Sequence, residues 1–83
     1  MRIIVTTTSR LERFLPAGSM NSAVVLDAED GATAFDVMEQ LGLPDERGYC
    51  VILNGHIVPD ARRRGTPLAE DDELTILPRP RVG

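Results

Sequence analysis

Apolar residues recur along this chain with two different periods, and the switches between them mark its elements. Residues 1–9 are rich in Ile, Val and Thr, which favours a strand with Ile3 and Val5 on one face and Ile4 and Thr6 on the other. Residues 10–15 have mixed polarity and suit either a continuation of that strand or a short turn. Pro16-Ala17-Gly18-Ser19 then breaks the chain. Residues 22–26 predict a second strand, so the two apolar runs form a hairpin with a long connection. After an acidic turn over 27–32 the period becomes helical. Ala34, Val37, Met38 and Leu41 fall at i, i+3, i+4 and i+7, with Phe35 widening the buried face. Thr33 is placed to cap this helix and Asp36 lies in its first turn, where negative charge is favoured. Gly42 supplies the left-handed position after the last turn, and Pro44 blocks continuation. The predicted helix is about ten residues long.

Beyond a polar loop over 43–48, Tyr49-Cys50-Val51-Ile52-Leu53 is a continuous apolar run, which predicts a central strand buried on both faces. Asn54-Gly55 predicts a tight hairpin turn, because both central residues of a type I′ turn need positive φ. His56 to Val58 returns as a short strand that Pro59 ends. A charged loop over 60–65 and an acidic run, Glu70-Asp71-Asp72-Glu73, lead to a last strand from Leu74 to Leu77. The predicted order is β-β-α-β-β-β. A helix between two hairpin-like pairs buries its stripe by crossing one face of a mixed sheet. The first and last strands then pair in parallel at the centre. The expected fold class is therefore α+β, a ubiquitin-like β-grasp with a mixed sheet of about five strands and one main helix on one face. Residues 1–77 form the single domain and residues 78–83 an extended C-terminal tail.

Composition narrows the function classes. At 83 residues there is room for one domain. The formal net charge of −4 argues against nucleic acid as a partner, since that affinity comes from neutralising phosphates. No apolar run approaches the roughly 20 residues that span a bilayer, and the N-terminus lacks the pattern of a signal peptide. No membrane partner is expected, and a cytoplasmic location is. A single cysteine, Cys50, makes no internal disulfide and fits a reducing compartment; in its apolar run it reads as a small buried hydrophobe. All nine basic residues are arginine, which excludes chemistry that depends on a lysine. His56 has no companion at informative spacing, so it is assigned no catalytic role. There is no Cys/His cluster for a metal and no glycine-rich phosphate loop. Nothing predicts a self-sufficient enzyme or a bound cofactor.

The chemistry gathers at the end of the chain, Pro78-Arg79-Pro80-Arg81-Val82-Gly83. The prolines lack backbone donors and favour an extended chain; the arginines between them keep it solvated. Such a tail is either a frayed end or a device that presents a carboxylate to another protein. Arg62, Arg63 and Arg64 form a second basic run. It reads as a candidate docking patch or as a set of charges pairing loosely with the acidic run at 70–73.

From Thr33 onward the chain resembles the MoaD/ThiS family of small sulfur-carrier proteins. The points of resemblance are a threonine-started helix ending in Leu41-Gly42, an apolar strand ending in Asn54-Gly55 with Val58 shortly after, and an arginine-bearing loop. Leu68 followed by the acidic stretch to Glu73, Ile76-Leu77-Pro78 and a chain end at Gly83 complete the pattern. The resemblance implies a protein co-substrate, not a catalyst. Its C-terminal carboxylate would be adenylated by an E1-like adenylating enzyme, which uses the ATP, and would then receive sulfur as a thiocarboxylate. A larger synthase subunit would consume that sulfur in molybdopterin or thiamine biosynthesis. By the same resemblance Gly83 is the acceptor, and Pro78, Arg79, Pro80, Arg81 and Val82 form the partner-binding tail. The family ends in Gly-Gly, whereas this chain has Val82 before Gly83. A β-branched residue restricts the backbone and widens the segment that must enter a channel. The alternative expectation is a non-carrier β-grasp interaction or regulatory subunit that has lost this chemistry.

Overall fold

The computed structural model describes residues 1–44 and 46–79, with only the backbone of Glu46. Five strands form one sheet: β1 (Arg2–Thr7), β2 (Ala23–Asp27), β3 (Tyr49–Leu53), β4 (His56–Val58) and β5 (Asp72–Pro78), in the spatial order β2-β1-β5-β3-β4. β1 and β5 pair in parallel at the centre, with Val5 opposite Leu74; the remaining pairs are antiparallel. The α-helix, α1 (Ala34–Gln40), lies in the connection between β2 and β3. This is the predicted β-grasp topology. A parallel central pair requires a long crossover, and the connection through α1, β3 and β4 supplies it.

Alternation sorts the residues of the central strands. Ile3 and Val5 of β1, Leu74 and Ile76 of β5 and Val51 of β3 are buried, together with Ala34, Val37 and Met38 of α1. The intervening positions, including Ile4, Val25, Cys50, Ile52, Ile57 and Leu77, occupy the other face of the sheet; Val25 and Ile57 there are 58% and 75% exposed. β3 therefore differs from its expected burial on both faces. It is the second strand from an edge, and of its residues only Val51 is fully enclosed. Cys50 is half-buried, not a core residue.

The ends of α1 are built as the residues require. Thr33 Oγ1 accepts from the Asp36 amide at 3.3 Å, and the Asp36 carboxylate accepts from the Thr33 amide at 2.9 Å, a reciprocal capping box. At the other end Gly42, with φ +75°, donates to the Glu39 carbonyl, and Leu43 donates to that of Met38. That pair of bonds satisfies carbonyls the helix would otherwise leave open. With Thr33 and Leu41 as its caps, the helix proper is seven residues long, not ten.

Residues 10–15 resolve into a 3₁₀ turn, Ser9–Phe14, that inserts Leu11 into the end of the core. Asn54 and Gly55 have φ of +50° and +86°, as the hairpin requires. Asn54 also reaches across to β5. Its side-chain amide donates to Asp72 and accepts from the amide of Glu73, both at 2.9 Å. Glu70 and Asp71 lie beside Arg2 at 3.6 and 3.2 Å, at the end of the sheet where β1 and β5 begin.

Candidate functional site

The central strand β5 carries the chain toward the predicted acceptor, so the geometry at its end defines the site. Pro78 is the last residue of β5 and lies opposite Tyr49 of β3. It is part of the sheet, not of a detached tail; its missing N–H is tolerated because the ladder stops there. Arg79 follows and is pinned by both backbone and side chain. Its amide donates to the Gly48 carbonyl at 2.8 Å. Its guanidinium donates to both Asp60 carboxylate oxygens, at 3.0 and 2.6 Å, and to the Tyr49 carbonyl at 3.2 Å. This two-point carboxylate contact uses the planar fork of arginine.

Asp60 serves a second arginine. Arg63 is 1% exposed, and its Nη2 lies 3.0 Å from Asp60 Oδ1 while also donating to the Tyr49 carbonyl. The Asp60 carboxylate and the Tyr49 carbonyl are thus shared between an internal arginine and the arginine at the root of the tail. The hydrogen bonds from Arg79 hold the Asp60 carboxyl below the usual carboxylate range, helped by the charges of Arg63 and Arg47. The Arg79 guanidinium is shifted upward in turn, first by its hydrogen bond to Asp60.

The structure divides the basic run 62–64. Arg62 is exposed, Arg63 is internal, and Arg64 lies over the Phe35 ring at 4.1 Å. The three do not form one exposed patch, because Arg63 is turned inward to hold the loop against β3. Pro80, Arg81, Val82 and Gly83 lie outside the described residues. No cluster of metal-ligating side chains occurs among the described residues, and no helix there is long and apolar enough to cross a membrane.

Asp60 and the Gly48 and Tyr49 carbonyls are absent from the predicted site. A local signal existed for one contact, since Asp60 and Arg63 are three residues apart. No local pattern links Asp60 to Arg79; the antiparallel pairing of β3 with both β4 and β5 brings them together.

The ThiS family model matches residues 16–79. A search of curated proteins found no significant match. Among solved structures, the chain is similar to SAMP1 from Haloferax volcanii, with 22% identity, a TM-score of 0.65 and coverage of 100% of this chain and 99% of that one. It is also similar to the thiamine biosynthesis protein ThiS from Geobacter metallireducens, at 14% identity and TM-score 0.63 over 96% and 99% of the two chains. A third similar structure, at 22% identity and TM-score 0.58 with full coverage of both chains, belongs to a complex of subunits 1 and 2 of molybdopterin-converting factor from Helicobacter pylori. The shared architecture is the β-grasp, and the family match spans α1, every strand except β1, and the clamp at Arg79. The chain belongs to the ThiS family of small, ubiquitin-like sulfur carriers.

Proposed function

We propose that this protein carries sulfur on Gly83. A carboxylate is a poor electrophile. Attack of its oxygen on the α-phosphate of ATP, in the active site of an E1-like adenylating enzyme, releases pyrophosphate and leaves an acyl adenylate. A sulfur nucleophile then displaces AMP, and the thiocarboxylate formed is the cargo. ATP belongs to the partner; this chain contributes the reacting terminus and the surfaces that deliver it. A larger synthase subunit of the molybdopterin or thiamine type would take the sulfur, in the cytoplasm. The apolar sheet face around Ile57 and Val25 offers that subunit a docking surface.

The observation that carries this reading is the pinned end of the central strand in a ThiS-family body. A carrier needs a stable body and a fixed exit point for its tail. Arg79, held by Gly48, Tyr49 and Asp60, gives one four residues before Gly83. The test is intact mass after incubation with the adenylating enzyme of the same genome, ATP and a sulfur donor. The expected product is heavier by one oxygen-to-sulfur exchange, and Val82→Gly is expected to form it faster. An unchanged mass with every candidate enzyme would sink the proposal.

Val82 motivates a second reading, a subunit that keeps the fold and its surfaces without the chemistry. It predicts that deleting Val82 and Gly83 leaves partner binding and function in the cell intact, whereas a carrier loses function.

A further inference from the structure

Carboxylates crowd one end of this molecule, and several arginines gather at the other. Asp27, Glu29, Asp30 and Asp36 gather where β2 ends and α1 begins. Glu70 and Asp71 lie at that same end, beside Arg2. At the other end, where the parallel strands β1 and β5 both finish, an open groove of about 1190 Å³ is lined by Arg10, Arg13, Arg47 and Arg79. No carboxylate lines it among the described residues. Arg79 is bound there by Asp60, so Arg10, Arg13 and Arg47 are the groove's arginines beyond that pair.

We propose that this groove docks an acidic protein surface, the rim of the channel through which the adenylating enzyme admits the tail. The inference rests on the carrier reading and names the chemistry of the partner at that site. Gly83 lies four residues beyond Arg79. A fully extended chain spans at most about 3.6 Å per residue, so an active centre that reaches Gly83 lies within ~14 Å of Arg79. An enzyme that admits Gly83 therefore brings its surface close to the groove. Two of the arginines are held in place before any partner arrives. Arg13 stacks on the Phe14 ring at 4.8 Å, and Arg79 is fixed by Asp60. Ordering them on binding therefore loses less entropy. A nucleic acid fits less well, because its long-range field meets a net-negative molecule, whereas a local acidic rim meets the near pole first.

The experiment compares wild type with Arg10→Glu, Arg10→Glu/Arg47→Glu and, as a reversal outside the groove, Arg62→Glu. Two quantities are measured against the adenylating enzyme of the same genome: binding, from about 50 to 500 mM NaCl, and conversion of Gly83. Thermal melting confirms that each variant folds. The groove double variant is expected to weaken binding roughly tenfold or more at low salt, mainly through slower association, and to flatten the salt dependence. Arg62→Glu should change either quantity far less. Salt-dependent, groove-dependent binding without conversion would leave the surface standing and remove the carrier reading. Conversion or binding that is indifferent to the groove reversals, or no binding at all, would overturn the surface. So would tighter, groove-dependent binding of inorganic triphosphate or a single-stranded oligonucleotide than of the enzyme.

Discussion

Asp60 holds together two functions that its neighbours perform separately. It braces Arg63, which ties the loop after β4 to the Tyr49 carbonyl, and through Arg79 it fixes the start of the tail. Its folded pKa is depressed, chiefly by hydrogen bonds from Arg79. In the window between the folded value and the ordinary carboxylate value near about 4, the unfolded chain binds more protons, so stability rises with pH there. The contribution is complete above about pH 4 and fades as pH falls through the folded value. Asp60→Asn should therefore lower the melting temperature at pH 7 and differ less from wild type toward pH 3, measured by thermal unfolding across that range. An equal difference at every pH would remove the charge from the explanation. Sequence reading reached Arg79 through its place in the tail. It misplaced Arg63, because burial of an arginine depends on an acceptor at Tyr49, far away in the chain.

At the scale of elements, local chemistry and observed structure agree most closely at the caps and turns. Thr33 and Asp36 close the start of α1, Gly42 closes its end, and Asn54-Gly55 turns β3 into β4. These motifs act within a few residues, so they are legible without knowing the fold. Thr33→Ala removes the side-chain acceptor for the Asp36 amide and should destabilise the protein by about 0.5–2 kcal/mol in denaturant unfolding. Asp36→Asn should cost less if it keeps the hydrogen bond to the Thr33 amide. Burial of β3 was less legible. An unbroken apolar run reads as a strand enclosed on both faces, yet α1 covers one side of the sheet and leaves Cys50 and Ile52 on the other.

For the whole molecule, that uncovered face and the basic groove are separate surfaces with separate expected effects. Ile57 lies on the edge strand β4 and is 75% exposed. Ile57→Ser should change stability by no more than about 0.5 kcal/mol while weakening the proposed complex with a larger synthase subunit. Binding measured by calorimetry beside a melting curve separates the two. Equal losses in stability and binding would instead make Ile57 part of the fold's support.

The sequence by itself determined the element order, the helix caps, the type I′ turn and the parallel central pair, because periodicity, capping and crossover length are local or topological constraints. It also marked Val82 beside Gly83, a matter of composition at a named position. Only the tertiary structure decided which charges meet. Arg2 turns to Glu70 and Asp71, Asp60 takes Arg79, and Arg10, Arg13 and Arg47 collect in one groove with Arg79. The physical reason is range. Hydrophobic patterning repeats within a few residues, whereas the Asp60–Arg79 salt bridge needs side chains 19 positions apart within a few ångströms, and the assembled sheet supplies that proximity.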